Sequence, residues 1–258
     1  MINRTPARAP RRAATFASLG LMALLMGACA AANDPHVGAP IDSLQGQRAA
    51  TERRLATSAA DAMQAGKTQE ALVSYEKLYQ RSSYNPDVAV NYAQLLRRSG
   101  KADQALTVLE PFAKGTRKDS PRAPRAMIKN EYAAALIETG KFKEAEPVLE
   151  SVLNDAKLAE FHPDASNLLG IAHDAQGHHK TAEKFFRQAL DGWKGDPTSV
   201  MNNLGLNLAS QGMFDEALTT LRRAQIMAPA KTEIARNIQI VNDLREAVVP
   251  KAPVNIKQ

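Results

Sequence analysis

One phrase recurs five times between residues 66 and 224 of this 258-residue chain, and it limits the fold more than any other feature. The copies read "GKTQEALVSYEKL", "GKADQALTVLEPF", "GKFKEAEPVLESV", "GHHKTAEKFFRQA" and "GMFDEALTTLRRA". Their first glycines are 34, 40, 37 and 35 residues apart. A period of this length is typical of stacked supersecondary units, each of which buries its apolar face only against its neighbours.

The spacing within the phrase predicts a helical hairpin. Glycine tolerates the left-handed backbone at which a helix ends and the chain turns back. Alanine follows five residues later and would let the next helix pack closely against the previous one. A large apolar residue comes one helical turn after the alanine and would fill the space between hairpins. Because aromatic residues make up only 5% of the chain, helix is also favoured over sheet, and we predict an all-α fold.

The pattern resembles the tetratricopeptide repeat, a helix-turn-helix of about 34 residues with small residues at its packing points. The fifth copy, "TSVMNNLGLNLASQGMFDEALTTLRRAQIMAP", matches that pattern almost throughout. The resemblance implies a solenoid of about five hairpins within a domain spanning 47–248. The repeats are expected at about 52–85, 86–121, 122–160, 161–196 and 197–230.

Three segments flank the predicted repeats. Residues 29–46 are rich in Ala, Asp, Pro and Gly without an apolar stripe, which predicts a flexible tether. Residues 231–248 predict a final helix that caps the open end of the stack. Residues 249–258, "VPKAPVNIKQ", predict a disordered tail.

Residues 1–28 have the layout of a signal peptide. They contain four arginines and no acidic residue, followed by an apolar run that is too short for a permanent membrane helix of about 20 residues. Removing this segment lowers the formal charge from +6 to +2. The remaining chain is nearly balanced, so its charge does not favour a nucleic-acid partner.

The only cysteine, Cys29, ends the sequence "MGAC", which resembles the lipobox of bacterial lipoproteins. In that family the cysteine becomes the lipidated first residue after cleavage. A lone cysteine in an oxidising compartment would otherwise lack a disulfide partner. The alternative is an ordinary signal peptide cut near Ala28 or Ala31. Ala30 stands where an aspartate would retain an enteric lipoprotein in the inner membrane, so the resemblance implies lipid anchoring on the periplasmic face of the outer membrane.

The first helix of each repeat is expected to line a concave groove that could hold a peptide or a partner's helix. Asparagine recurs near the start of four successive first helices, and its amide can bond a peptide backbone of any sequence. Helix capping or a solvated helix surface is the alternative. No cation flanks Asn203, which argues against the carboxylate clamp of chaperone-tail-binding members. The candidate lining residues are Asn91, Gln94, Asn130, Ile137, Asn167, Ile171, Asp174, Asn202, Leu206 and Ser210.

A second candidate surface is basic. The longest glycine interval, between Gly100 and Gly140, includes "KGTRKDSPRAPRAMIK", in which Asp119 is the single acid. Such a loop could contact an acidic partner or lipid headgroups, and a solvated connection between repeats is the alternative. Its cations are Lys114, Arg117, Lys118, Arg122, Arg125 and Lys129.

The sequence shows no catalytic constellation. His173, His178 and His179 lie close in sequence, but no cysteine or carboxylate near them has zinc-site spacing. No glycine-rich phosphate loop is present, and Trp193 at the end of a repeat helix is expected to pack. We therefore predict a protein without enzymatic activity, metal or cofactor.

The combined features are similar to the TadD lipoproteins of the tight-adherence (Flp) pilus system. The lipobox, five repeats and the closing segment "MNNLGLNLASQGMFDEALTTLRRAQIMAPAKTEIARNIQIVNDL" carry this resemblance. It implies an outer-membrane scaffold whose protein partner is a secretin or another pilus-assembly component. A pilotin of type IV pili, or another envelope-assembly repeat lipoprotein, is the alternative.

Overall fold

The computed structural model describes residues 39–82, 85–115 and 122–248, and throughout these ranges the regular structure is helical. The chain divides into two compact units, Met1–Arg54 and Leu55–Gln258. The helices are α1 (Ala39–Gln64), α2 (Thr68–Arg81), α3 (Pro86–Arg98), α4 (Ala102–Ala113), α5 (Arg122–Glu138), α6 (Phe142–Leu153), α7 (His162–Ala175), α8 (His179–Gly192), α9 (Thr198–Ser210), α10 (Phe214–Met227) and α11 (Thr232–Val248).

The described part of the first unit is the beginning of α1. This helix starts at Ala39, so residues 39–46 differ from the flexible tether that the sequence predicts there. Proline in the first turn and the following run of Gln, Arg and Ala favour helix, although they form no apolar stripe. Residues 29–38, the rest of the predicted tether, lie outside the described residues, as do the predicted signal peptide with Cys29 and the predicted tail.

In the second unit, each hairpin turns at the glycine that opens the repeated phrase. Gly66, Gly100, Gly140, Gly177 and Gly212 all have positive φ angles, between 69° and 81°. The N–H of the residue after each glycine donates to the carbonyl five residues earlier, for example from Lys101 to Leu96 at 2.9 Å. These bonds satisfy helix-end carbonyls, which is why a left-handed residue is required at each turn.

The small residues of the repeat lie where helices cross. The phrase alanines, from Ala71 to Ala217, are fully buried. A Cβ atom added at Gly170 would lie 2.6 Å from the ring of Phe186, and one added at Gly205 would lie 2.6 Å from Leu221. The two helices of these hairpins therefore approach each other more closely than an alanine would allow.

The extra residues in the 37- and 40-residue glycine intervals adopt two different structures. A short 3-10 helix, Ala156–Phe161, lies between α6 and α7 and accounts for part of the 37-residue interval. In the 40-residue interval, α5 begins at Arg122, so three cations of the predicted basic loop are helical. Lys114 follows α4, while Arg117 and Lys118 lie outside the described residues.

The hairpins stack so that their first helices form one row. Successive first helices contact each other, α3 with α5, α5 with α7, α7 with α9 and α9 with α11. The backbones of the second helices α4, α6, α8 and α10 lie farther apart within the described ranges, although the side chains of Arg187 on α8 and Glu216 on α10 form an ion pair at 2.6 Å. Closer packing among the first helices puts them on the inner side of this unit's stack, as in other helical solenoids.

Candidate functional site

Four apolar side chains on three successive first helices of the inner row remain partly open to solvent. On α7, Ala165, Leu169 and Ala172 are buried in the core, whereas Leu168 and Ile171 on the adjoining face are half-buried. On the two neighbouring first helices, Leu206 is half-buried and Met127 is 38% exposed. We call Met127, Leu168, Ile171 and Leu206 the apolar floor. These side chains are predominantly carbon and remain partly open to solvent, so they offer a surface that another apolar segment could cover.

An ion-pair network joins α3 to α5 at one side of this floor. Arg97 donates from Nε to Glu131 at 2.5 Å and from Nη1 to Glu138 at 2.6 Å. Burial raises the pKa of the Glu138 carboxyl, and the charge and hydrogen bond of Arg97 partly offset that effect. The Arg97 guanidinium is therefore already bound to two carboxylates of the protein itself.

Two asparagine pairs join the last three first helices, α7, α9 and α11. Asn203 Nδ2 donates to Asn167 Oδ1 at 3.1 Å, between α9 and α7. Asn237 Nδ2 donates to Asn202 Oδ1 at 2.7 Å, between α11 and α9. Asn202 is only 5% exposed, which corrects the prediction that it lines the groove, because the helix packing turns it into the interface.

Asn130 is also an interface residue. It is 8% exposed, and its Nδ2 donates to the Phe161 carbonyl at 3.3 Å, so it ties α5 to the segment before α7. Its Oδ1 is buried without a hydrogen-bond partner in the described part of the chain. The prediction that Asn130 offers its amide to a bound peptide is therefore corrected as well.

Asp174 connects three elements. Its Oδ1 lies 2.8 Å from His179 Nδ1 at the start of α8 and accepts a hydrogen bond from Asn207 Nδ2 at 2.7 Å. Asn207, on α9, is fully buried and also donates to the His179 carbonyl at 3.0 Å. Asp174 therefore helps to hold neighbouring hairpins together. The buried amide of Asn207 was not predicted from the sequence, because Asn207 stands between two leucines.

The other predicted groove residues lie on the inner row without such bonds to other helices. Ser210 is exposed, and its Oγ donates to the Leu206 carbonyl of its own helix at 3.1 Å. The accessible predicted residues are Asn91, Gln94, Ile137, Ile171, Leu206 and Ser210, of which Asn91 and Ser210 are exposed and the rest half-buried.

Asp164 was missed by the sequence analysis but belongs to the accessible face of α7. It precedes Leu168 by four residues and Ile171 by seven, so all three lie on one side of the helix. The carboxylate is half-buried, and no hydrogen bond or ion pair connects it to the described residues. Burial raises its pKa from 3.8 to about 6. The spacing to Ile171 was the signal that could have found it.

Asp196 shows how a neighbouring cation changes the pKa of an aspartate. Desolvation opposes ionisation there too, but hydrogen bonds from Lys231, at 2.8 Å, and from Thr198 lower the pKa of Asp196 to about 2. The pKa of Asp196 is lowered and that of Asp164 is raised because Asp164 has no cation or hydrogen-bond donor of this kind beside it.

The three basic residues whose side chains the structure describes, Lys114, Arg125 and Lys129, do not form one free patch. Lys114 pairs with Glu110 at 2.5 Å on the surface, and Lys129 donates to Ser151 at 2.9 Å. Arg125 is exposed on the first turn of α5. Lys114 thus lies at the end of α4, Arg125 in the first turn of α5 and Lys129 in the middle of α5, and both lysines make bonds within the chain.

His173 lies in the last turn of α7, and His178 and His179 lie at the start of α8. The His173 ring stacks on Phe185 with centroids 5.4 Å apart, and its Nδ1 is 3.9 Å from Glu146. Within the described ranges, no group of three or more metal-binding side chains is assembled. Nor is any described helix both long and apolar enough to cross a membrane.

Comparison with protein families identifies the repeat. Tetratricopeptide-repeat models match residues 62–128, 124–194 and 199–223, which together make up more than half of the chain. The chain is a tetratricopeptide-repeat protein. This confirms the predicted repeat and the all-α solenoid of helical hairpins.

Solved structures resemble this tetratricopeptide-repeat protein at low identity. MamA from Desulfovibrio magneticus is 20% identical, with 70% of this chain and 97% of that chain covered and a TM-score of 0.51. A thermophilic repeat protein of Thermus thermophilus is 17% identical, with coverage of 74% and 98% and a TM-score of 0.57. The apo form of RapI is 13% identical, with coverage of 76% and 77% and a TM-score of 0.63. At these identities the likeness shows the fold alone.

Comparison with curated proteins finds no match. Tetratricopeptide-repeat proteins are generally scaffolds that bind other proteins and are typically not enzymes. The accessible inner row with its apolar floor is the described surface that suits such binding.

Proposed function

We propose that this protein is a lipid-anchored scaffold on the periplasmic face of the outer membrane, where it assists assembly or placement of the secretin pore of a tight-adherence pilus. The observation that carries the binding role is the apolar floor, which extends over three successive first helices. The closing segment that contains α9, α10 and α11 supports the pilus assignment through its similarity to the TadD lipoproteins.

The mechanism is non-covalent. The inner row would hold a segment of an unassembled partner, and burial of the floor would supply about 25 cal/mol for each Å² of apolar surface removed from water. Because Arg97 and the paired asparagines are engaged within the protein, side-chain packing on the floor contributes more than hydrogen bonds from those groups. The partner is released when its own assembly buries the same segment.

Lipid attachment at Cys29 would hold both proteins at the membrane. The support is the sequence "MGAC" after an apolar run, together with the absence of any other cysteine in the chain. A single acyl chain binds a membrane only marginally, whereas several chains hold firmly, so the multiple chains of a bacterial lipoprotein suit a permanent anchor.

A deletion strain with complementing variants tests the proposal. Deletion is expected to lower the amount of heat-resistant secretin multimer in the outer membrane several-fold, and the wild-type gene is expected to restore it. The double variant Ile171→Ser/Leu206→Ser should not restore it, because the floor loses two of its four apolar side chains. Ile226→Ser, at an isoleucine that is 82% exposed on α10, is the matched control and should restore it fully.

Two outcomes would contradict the proposal. Normal multimers and surface pili in the deletion strain would refute the secretin role. Cys29→Ser is expected to yield folded protein that no longer sediments with outer membranes, and unchanged fractionation of this variant would refute the lipid anchor.

A further inference from the structure

We propose that the inner row selects partner segments in which a lysine or arginine lies close to a large apolar residue, and that Asp164 pairs with this cation. This inference rests on the proposed function insofar as the inner row is taken as the partner-binding surface. It adds what the apolar floor alone does not define, namely the charge of the segment that binds there.

The first step is that Asp164 differs from the other carboxylates on α5 and α7. Glu131 and Glu138 bind Arg97, and Asp174 binds His179 and Asn207. Asp164 is comparably removed from water but has no bond to the described residues. An isolated carboxylate in such surroundings is costly, and natural proteins usually pair it.

The second step is that no cation on the two neighbouring first helices, α5 and α9, is paired with Asp164. On α5, Lys129 donates to Ser151 at 2.9 Å, and neither Lys129 nor Arg125 bonds Asp164. Helix α9, "TSVMNNLGLNLAS", contains no charged residue at all. Arg97, on α3, is already bound to two carboxylates. A cation that reaches Asp164 can therefore come from a bound partner.

The third step is that Asp164 keeps its negative charge under ordinary conditions. Its pKa of about 6 leaves the carboxylate mostly ionised at pH 7 to 8. Its place in the first turn of α7 also favours the ionised form through the helix dipole. A charge-assisted bond from Lys or Arg to such a group is roughly twice as strong as a bond between neutral groups.

The fourth step concerns spacing. Asp164 and Ile171 are seven residues apart on one helix, which at 1.5 Å per residue separates them by about 10 Å. An extended segment rises about 3.3 Å per residue, so its cation and its apolar anchor would be two to four residues apart. The recognised pattern is therefore short, with one cation and one large apolar side chain.

A displayed library of random 12-residue peptides, selected on the immobilised full-length protein, tests this inference. On the wild type we expect enrichment of peptides with Lys or Arg two to four residues from a large apolar residue. Asp164→Asn should remove the preference for a cation. Asp191→Asn, at an exposed aspartate on α8, is the matched control and should preserve it.

The affinity of one enriched peptide then measures the pairing. Replacing its Lys by Gln is expected to raise Kd about 10-fold on the wild type, and less than about 2-fold on Asp164→Asn, since the cation then has no carboxylate to bind. The same cycle at pH 5, where Asp164 is largely protonated, should show a smaller effect of Lys→Gln on the wild type.

Three results would overturn the inference. Enrichment of apolar peptides without a cation would do so while leaving the binding role of the inner row intact. An equal effect of Lys→Gln on wild type and Asp164→Asn would show that the cation pairs elsewhere. If no peptide is enriched above the bare support, or if Ile171→Ser/Leu206→Ser leaves enrichment unchanged, the inner row is not the binding surface and the proposed mechanism fails too.

Discussion

The inner row is held together by charges at one end and by amides at the other. Between α3 and α5, Arg97 bonds two glutamates, one of which, Glu131, is only 7% exposed. Between α7, α9 and α11, two asparagine pairs make the corresponding connections, and α9 has no charged residue. Between α7 and α9 the amide end therefore carries little charge, and Asp164 is a half-buried carboxylate there without a hydrogen bond or ion pair to the described residues.

The difference matters because losing one partner has different energetic consequences for an ion pair and for an amide pair. Removing one member of a buried ion pair leaves an uncompensated charge, which is more costly than an amide that loses one partner. An amide pair also leaves no net charge that would attract or repel a bound segment. The comparison predicts that substitutions lower stability most at the charged end, and that the stability of the amide end depends little on salt.

The largest expected effect follows from Arg97→Met. The two glutamates would lose their cation while Glu131 stays buried, so we expect the free energy of unfolding to fall by about 3 kcal/mol. Urea unfolding followed by far-UV circular dichroism measures this. Arg98→Met, at the exposed arginine next in sequence, is the control and should change stability by less than about 0.5 kcal/mol. Equal effects of the two substitutions would mean that the charged network does not hold this end together.

An intermediate effect is expected for Asn202→Ala. The buried amide of Asn237 would lose its acceptor, which costs about 1 to 2 kcal/mol of unfolding free energy. Added salt should leave this loss unchanged, because no net charge is involved. Asn91→Ala, at an exposed asparagine on α3, should be nearly neutral. A loss for Asn202→Ala that shrinks in 1 M NaCl would contradict the description of this end as uncharged.

The smallest effect is expected for Asp164→Asn, and it should depend on pH. The folded-state pKa of about 6 lies above the ordinary value of 3.8, so the ionised group costs stability, and that cost grows as pH rises from about 4 through 6. Since the helix dipole offsets part of it, we expect Asp164→Asn to stabilise the protein by about 1 kcal/mol at pH 8.

At pH 4 the carboxyl is protonated in the folded protein, so wild type and Asp164→Asn should unfold at nearly the same urea concentration. Urea unfolding of both proteins at pH 4 and pH 8 checks this. A stability difference that is the same at the two pH values would show that the Asp164 carboxylate is not desolvated in the folded protein.

Much of the hairpin architecture could be predicted from local chemistry. Gly177 requires a left-handed backbone and Ala182 permits a close helix crossing, and both requirements act over a few neighbouring residues. The start of α1 at Ala39 was not predicted, because Gln, Arg and Ala support a helix without the apolar stripe that marks one in sequence.

The candidate site was predicted less well, for a geometric reason. Helical spacing shows which residues share a face, but the rotation of a helix against its neighbours decides whether that face meets solvent or another helix. Asn202 and Ile171 were both expected in the groove, yet Asn202 lies in the α9–α11 interface while Ile171 stays accessible. Asp164 shares the face of Ile171, and its burial depends on packing around α7 that spacing does not show.

By itself, the sequence determined the repeat, the helical class and the positions of the turns, because these depend on backbone freedom and side-chain size within each 34-residue unit. It also contains the features at Cys29 on which the proposed anchor depends. Only the tertiary structure decided which polar side chains bind other helices, and that the Asp164 carboxylate is half-buried without a bond to the described residues. Those outcomes depend on contacts between residues about 35 positions apart, such as Asn202 with Asn237, whose geometry is set by how one hairpin rotates against the next.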